Sequence, residues 1–529
     1  MKKFFEKHDL VKIIFGMILL TAVLTWIIPK SDFSTGELVK GEITRIGLFD
    51  FGTYGLLGMY YFTVLVMFII IVGVFYQFLS KLGAYQKLTD SLARKIKGKE
   101  IIFSLIVSFI FAALASIVNE YIVLVAFVPF IVTLCSKAGM DKISSFVATF
   151  GAILVGILGS TISTKIVGMN VNYFGLKYTD FLLEKILFFV VIFVVYSVFN
   201  VLYLRKNIKK VSKNVAVEEK VVEVKVPTKK TTTKKAPAKK AAAKKTTTKK
   251  ATKASLAKAT DVKVVKVDKE EIVEKTKVLT DDLFANNVDG SKNSIIPLII
   301  VAILTVITIL LAYIPWVAVF EVDWFTKATN WVLNEVKLFD VPIFSYVLGS
   351  VQEFGNWDLF GAQVVMLMAM FVLAICYKTG VNAIIESFSE GFKKVSKLVG
   401  ILLLCYVVLE FAVMFPVIPT LLGDILGAKF NVLTTGLAGI ITNLFTVEYQ
   451  YTANLVYSNF TALYANDLNV VSMILQYTFG FVSFFAPSSA ILFVGLSYLD
   501  IPYKNWLKYI WKFLIVALAA VIAIAFIIA

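Results

Sequence analysis

Histidine is nearly absent from this sequence, because His8 is the only one in 529 residues and lies in the charged N-terminal tail. An imidazole acid, base or proton relay within the apolar segments is therefore excluded. The three cysteines, Cys135, Cys376 and Cys405, are far apart, and their spacing matches neither a disulfide framework nor a metal site. The sequence also lacks HExxH and GxSxG motifs. We therefore expect neither an enzyme nor a bound cofactor.

Apolar residues dominate the chain, which is 58% hydrophobic with a mean hydropathy of +0.82. Many apolar runs are long enough to cross a hydrocarbon layer of about 30 Å. The pattern predicts an all-α, multi-pass protein of the cell membrane with about nine transmembrane helices. The predicted spans are 11–29, 60–79, 143–164, 182–204, 294–317, 359–377, 398–415, 470–496 and 506–528.

The net charge of +17 comes almost entirely from one insert, residues 205–293, which holds 25 basic and 11 acidic residues. Lysine pairs recur every five residues, a period that turns about 140° around an α-helix and gathers the charge on no single face. This composition predicts a disordered cytoplasmic linker near anionic lipid headgroups. Because no aromatic residues interleave with the lysines, we do not expect specific nucleic-acid binding. The lysine pairs lie at 229/230, 234/235, 239/240, 244/245 and 249/250.

Basic residues also predict the orientation of the chain. Lysines 2, 3, 7 and 12 place the N-terminus in the cytoplasm, and the basic loops 80–100 and 378–397 lie on the same side. The net acidic loop 318–358 falls outside. These positions agree only if two further apolar stretches, 101–136 and 430–465, enter and return from one side or cross twice.

Those two stretches indicate an internal repeat. Glu120-Tyr121 recurs as Glu448-Tyr449, an offset of 328 residues, and the same offset carries Ser160-Thr161 onto Ser488-Ser489. Each half then reads as an interrupted hairpin, a broken helix and a closing helix, in opposite orientations. We predict an inverted repeat, typical of secondary transporters, with residues 1–204 and 294–529 as its halves.

The polar breaks supply candidate binding residues. Glu120 is the only charged residue between Ile101 and Cys135, so its carboxylate needs a wet cavity or a cationic partner. If the two halves meet, Glu120 and Glu448 face one pocket and are candidates for coupling to Na⁺ or H⁺. The predicted solute-binding residues are Asn119, Glu120, Ser160, Thr161, Ser163, Glu448, Gln450, Ser488 and Ser489.

Structural roles compete with these assignments. Glu120 and Glu448 lie at opposite membrane surfaces if both stretches are ordinary double crossings. The hydroxyl groups are equally suited to bonding the backbone or a neighbouring helix. Lys165 follows the first break and can pair with a solute carboxylate, although an interfacial position with its ammonium in water is favoured. Asn443 and Gln476 are expected to form hydrogen bonds between helices.

Several segments carry a family resemblance. LTWIIP at 24–29, KIKGKE at 95–100 and PYKNWLKYIW at 502–511 resemble the YfcC/DcuC-like carriers, relatives of the AbgT transporters in the ion-transporter superfamily. GSTIS at 159–163 and PSSAILFVGLSYLDIPY at 487–503 are similar to that group's polar helix breaks. The resemblance implies nine spanning helices plus two re-entrant hairpins, a scaffold and a mobile transport domain, a homodimer and elevator-like alternating access.

The sequence departs from this family at its solute-binding motifs. Ser163-Thr164 replaces the usual Asn-Pro, TVEYQY at 446–451 replaces the second Pro-Ser-Gly stretch, and FGFVS at 479–483 replaces a Gly-Asp-Gly. The family implies carriers of dicarboxylates, amino acids or related small acids. Two acids in one pocket favour an amino-acid-like solute, basic amino acids included, over a C4-dicarboxylate. A membrane anchor that presents the basic insert to a polyanion is the alternative of another class.

Overall fold

The apolar segments form helices in the computed structural model, which describes residues 9–32, 39–223, 279–286, 288, 293–349 and 351–529. In the first half, two-residue antiparallel strands β1 (Ser31–Asp32) and β2 (Val39–Lys40) follow the first helix. A 3-10 helix, Tyr121–Phe127, leads directly into α6. The helices are α1 (Asp9–Ile27), α2 (Leu48–Tyr61), α3 (Thr63–Ser80), α4 (Gly83–Ile96), α5 (Glu100–Ile117), α6 (Val128–Ala138), α7 (Lys142–Ala148), α8 (Phe150–Leu158), α9 (Val167–Phe174) and α10 (Leu182–Glu223).

The second half of the chain is also helical. One π-helical turn, Trp331–Glu335, extends the short helix before it. The helices are α11 (Ile296–Tyr313), α12 (Trp324–Asn330), α13 (Ile343–Leu348), α14 (Leu359–Cys376), α15 (Val381–Met414), α16 (Ile418–Ile425), α17 (Val432–Asn443), α18 (Tyr449–Leu463), α19 (Leu468–Val482), α20 (Ala490–Tyr498) and α21 (Tyr503–Ile528).

Nine helices in the described part of the chain are long and apolar enough to cross a membrane. The prediction of an all-α, multi-pass membrane protein is therefore confirmed. Seven of the nine overlap predicted spans, and the interrupted stretch 101–136 supplies the other two. The predicted spans 143–164 and 470–496 instead divide into shorter helices, as their polar breaks indicated. The nine are Asp9–Ile27, Thr63–Ser80, Glu100–Ile117, Tyr121–Ala138, Leu182–Lys206, Ile296–Tyr313, Leu359–Cys376, Val381–Met414 and Tyr503–Ile528.

The breaks occur where the sequence disfavours a helix. Helix α8 ends at Leu158 and α9 begins at Val167, and the segment between them starts at Gly159. Helix α19 ends at Val482 and α20 begins at Ala490, with Pro487 between them. A Cβ on Gly480 would lie 2.2 Å from the Cα of Leu158, so only glycine allows α19 to approach α8 this closely. This contact sets the two breaks side by side.

After the insert, the folded body resumes at residue 279, before the predicted end of the insert at residue 293. The predicted insert 205–293 begins within α10, which continues to Glu223, and residues 279–286 pack against the body at its other end. We call residues 279–286 the strap. Residues 205–278 form a separate unit from residues 1–204 and 279–529. The lysine pairs of the insert and lysines 2, 3 and 7 lie outside the described residues.

The strap is fixed by specific polar contacts with α6, α7 and the turn between them. Its Thr280 N–H donates to the Met140 carbonyl (3.1 Å), and the Thr280 hydroxyl lies 2.7 Å from that of buried Ser145. The Asp282 carboxylate accepts from the Thr133 hydroxyl (2.9 Å), and burial raises the pKa of this carboxyl. Phe284 is only 2% exposed. Residues 279–286 are therefore part of the folded body.

Candidate functional site

One lysine joins the two isolated acids. The Lys165 ammonium lies 2.9 Å from Glu120 Oε2 and 2.7 Å from Glu448 Oε2. The three side chains are 20%, 11% and 8% exposed, so water screens the pairs weakly. Two carboxylates and one ammonium give the cluster a net charge of about −1 when all three are ionised. The cluster can therefore accommodate one more positive charge.

Each acid is placed by the beginning of a helix. Glu120 immediately precedes the 3-10 helix and accepts a hydrogen bond from the Ile122 N–H (3.2 Å). Glu448 immediately precedes α18 and accepts a hydrogen bond from the Tyr406 hydroxyl (2.5 Å). Free N–H groups and the helix dipole stabilise negative charge at such positions. The two acids thus occupy equivalent positions in the two halves, on either side of Lys165.

The hydroxyl groups of the first break hold the chain in place. Thr161 donates to the Ser116 carbonyl (3.1 Å), and Ser163 donates to the Val118 carbonyl (2.6 Å). Backbone N–H groups of Thr161 and Ile162 also bond the Ser116 carbonyl. These bonds satisfy backbone carbonyls at the C-terminal end of α5, where no further helical N–H groups are present to pair with them. Thr161 and Ser163 therefore position the first hairpin against the break that carries Lys165.

Two serine hydroxyls remain unpaired at equivalent positions. Ser160 and Ser488 are both fully buried, and neither Oγ has a hydrogen-bond partner among the described residues. Ser489, next along the chain, lines a cavity together with Glu448. A buried hydroxyl without a partner is costly unless water or a ligand completes it. Ser160 and Ser488 therefore each have a hydroxyl group that a bound water or ligand can complete.

The remaining predicted residues lie at the edge of the cluster. The Asn119 N–H donates to the Tyr313 carbonyl (2.8 Å), and its side-chain amide donates to the Gly355 carbonyl (3.2 Å). Asn119 thereby ties the first hairpin to the second half. Gln450 is partly buried in the first turn of α18 and hydrogen-bonds with Tyr451. Both residues thus lie within two positions of an acid in the sequence and make structural bonds of their own.

A buried amide network joins the first break to α18. Gln476 donates to the Ser160 carbonyl (2.8 Å) and accepts from Asn170 (2.9 Å). The Tyr449 hydroxyl donates to the Asn170 side-chain oxygen (2.6 Å). Asn443 donates to the Thr478 hydroxyl (3.1 Å), so the predicted interhelical roles of Asn443 and Gln476 are confirmed. This network connects Tyr449, the residue after Glu448, to Ser160 in the break that carries Lys165.

The site is closed in this structure. Glu448, Tyr121, Tyr406 and Ser489 line a cavity of about 10 Å³. This volume is near the lower limit for a single water molecule. A solute of several heavy atoms cannot enter without movement of the surrounding helices. In this structure the cavity beside Glu448 therefore has no room for a solute.

Two features differ from the sequence-based interpretation. Lys165 was expected at an interface, but its ammonium is held between two buried acids because the break turns it inward. Tyr406 was not predicted, although its hydroxyl bonds Glu448. No local pattern distinguishes this tyrosine from the other aromatic residues of an apolar helix. Its role depends on contact with a residue 42 positions away.

Comparison with known proteins supports the class of membrane carriers. The family model described as DcuC, C4-dicarboxylate anaerobic carrier, matches residues 8–248, slightly less than half of the chain. The solved structure of the YdaH transporter from Alcanivorax borkumensis is similar with 11% identity, over 98% of this chain and 96% of that one, at a TM-score of 0.37. No curated protein matches the chain. The similarity is thus to DcuC-type carriers, without distinguishing the YfcC group.

Proposed function

We propose that this protein is a secondary active transporter of small amino-acid-like carboxylates, basic amino acids included. The observation that carries the proposal is the cluster of Glu120, Lys165 and Glu448, buried where two hairpin turns meet a helix break. Intramembrane ionisable groups at broken helices are typical of solute and ion pathways. The DcuC match supports the transporter class.

Lys165 acts in this proposal as an internal substitute for the solute. A solute ammonium takes its place between Glu120 and Glu448, and the released Lys165 pairs with the solute carboxylate. Ser160 and Ser488 supply hydroxyl groups that have no hydrogen-bond partner among the described residues. Every buried charge then keeps an opposite charge beside it, which avoids the several kcal/mol that an unpaired buried ion costs.

The net charge of the cluster accounts for coupling. A zwitterionic solute adds no charge, so one Na⁺ or H⁺ at Glu120 or Glu448 completes neutrality. A basic amino acid carries that positive charge itself and can exchange without an accompanying ion. The cluster thus favours symport for neutral amino acids and exchange for basic ones.

A C4-dicarboxylate is the second candidate, and the family match supports it. Lys165 would pair with one of its two carboxylates. The solute adds two negative charges to a cluster that already carries about one. Three cations or protons must then accompany each molecule, so dicarboxylate transport would be steeply dependent on Na⁺ or pH.

Uptake into proteoliposomes distinguishes these solutes. We expect saturable uptake of labelled arginine, ornithine or glutamate, and competition among them, under an imposed Na⁺ or proton gradient or against an internal amino acid. Saturable succinate uptake without competition by any amino acid would overturn the proposed solute and support the dicarboxylate. Liposomes without protein and protein without a gradient are the controls.

We further propose a homodimer in the cell membrane, with the N-terminus and the basic insert in the cytoplasm near anionic lipid headgroups. The rival function, a membrane anchor whose insert binds a polyanion, makes the insert indispensable. Deleting residues 224–278 leaves α10 and the strap intact. Retained uptake by this variant would support the transporter, whereas uptake that requires the insert would favour the anchor.

A further inference from the structure

Three cavities lie in a row between the acid cluster and the strap. The site cavity of about 10 Å³ contains Glu448 in its wall. A middle cavity of about 20 Å³ is almost wholly apolar. An outer cavity of about 220 Å³ carries Lys142, Lys394 and Lys397.

The same four elements line the site cavity and the middle cavity. Helix α8 contributes Leu154 and Ile157 to the site cavity and Phe150 to the middle one. Helix α20 contributes Ile491 to the site cavity and Val494 to the middle one. These positions are three or four residues apart, so each helix presents one continuous face along the row.

The other two elements follow the same course. The 3-10 helix passes from Tyr121 at the site cavity to Val125 at the middle one. Helix α15 passes from Tyr406 at the site cavity to Leu398, which lines both the middle and the outer cavity. The eight residues from Leu398 to Tyr406 span about 12 Å of helix. The row is therefore one interrupted route, about two helical turns long.

The strap inserts one side chain into this route. Phe284 lines the middle cavity, and among the described residues that do so it alone lies outside a helix. Its neighbours in the strap, Asp281 and Leu283, line the outer cavity. The ring lies 6.0 Å from that of Tyr76, and the Lys394 ammonium lies 5.5 Å above it. Phe284 thus lies in the wall of the middle cavity, at the end where the strap enters from the outer cavity.

From this arrangement we infer that Phe284 is a plug, which closes the route between the acid cluster and the outer cavity. The strap holds the ring in place through Thr280 and Asp282. Movement of the strap by about the length of one side chain would connect the two cavities. The helices that line both cavities need not move for this to happen. The identity of the solute that passes along the route rests on the proposed function. The existence of the route does not.

Thiol labelling tests the plug without any transported solute. In a Cys376→Ser background, Val494→Cys places a thiol on the wall of the middle cavity. We expect a membrane-impermeant maleimide to label this thiol slowly. The added change Phe284→Ala should raise the rate at least about tenfold, because loss of a buried aromatic ring shifts local opening by more than that factor.

A matched strap variant separates plugging from loosening of the strap. Leu279→Ala truncates a strap side chain that is 39% exposed and lies outside the middle cavity. We expect it to leave the labelling rate unchanged. Equal acceleration by Leu279→Ala and Phe284→Ala, or no acceleration by Phe284→Ala, would overturn the inference. The same protein with Val494 unchanged measures the background labelling of Cys135 and Cys405.

A disulfide provides the reverse test if Phe284→Ala does not fold. Ser145→Cys and Thr280→Cys replace two hydroxyl groups that lie 2.7 Å apart, so oxidation ties the strap to α7. Labelling at Val494→Cys, measured on its own peptide, should slow on oxidation and recover on reduction. An unchanged rate would contradict a strap that moves to open the route. Because neither readout needs uptake, both can succeed even where the proposed solute is wrong.

Discussion

A Lys165→Met variant is expected to lose uptake and about 3–5 kcal/mol of unfolding free energy. Glu120 and Glu448 would then lie close together without the ammonium that separates them. Two carboxylates at such a distance cannot both remain ionised without a cation. The loss is measured by chemical or thermal unfolding of the purified protein in detergent, and uptake is measured in proteoliposomes.

Lys81 provides a matched control for this variant. Its ammonium also lies between two glutamates, 3.4 Å from Glu386 and 2.9 Å from Glu390. Those acids are 66% and 50% exposed, so the pairs are screened by water. Lys81→Met should therefore cost no more than about 1 kcal/mol. Equal losses for the two methionine variants would contradict a special role for the buried cluster.

A Glu448→Gln variant is expected to lower uptake at limiting solute by about 100-fold, because loss of one buried charge partner costs about 2–5 kcal/mol. Lys165 keeps Glu120 as its partner, so the protein should remain folded. The cluster becomes neutral, and the remaining uptake should no longer depend on Na⁺ or H⁺. Initial rates across a series of Na⁺ concentrations and pH values measure both effects.

Glu410 is the matched control for Glu448. It is a second buried glutamate, 5% exposed in α15, and its side chain is outside the cluster around Lys165. Glu410→Gln should retain the ion dependence of uptake. If Glu448→Gln instead kept the wild-type ion dependence, the assignment of the coupling charge to the cluster would fail.

The sequence predicted the parts of the fold that depend on local chemistry. Gly159 and Pro487 break their helices whatever surrounds them, and the apolar runs determine the long helices. Glu120 was recognisable because a single charge stands out in an apolar stretch. A fixed offset then related it to Glu448. These features can be recognised in the sequence without any knowledge of tertiary contacts.

Other parts depend on contacts between distant residues. Whether a lysine beside a break turns to the interface or inward depends on what meets it, and Lys165 meets a glutamate 283 positions away. Phe284 lies within the predicted insert 205–293, where no apolar period marks a packed residue. Tyr406 lies among many aromatic residues in an apolar helix. None of these three carries a local signal of its role.

Cross-linking of positions 120 and 448 tests the central claim most directly. Both acid oxygens lie within 3 Å of one ammonium, although the insert separates the two positions in sequence. With the native cysteines changed to alanine, Glu120→Cys and Glu448→Cys should be joined by a short bifunctional thiol reagent. After cleavage at a protease site placed within residues 224–278, the two halves should then stay together on a denaturing gel.

The control pair is Glu120→Cys with Glu386→Cys, because residue 386 lies 20 residues along α15 from Tyr406, or about 30 Å. The account predicts that the 120–448 pair remains joined after cleavage and that the 120–386 pair separates. Separation of the 120–448 halves under the same conditions would contradict a shared site.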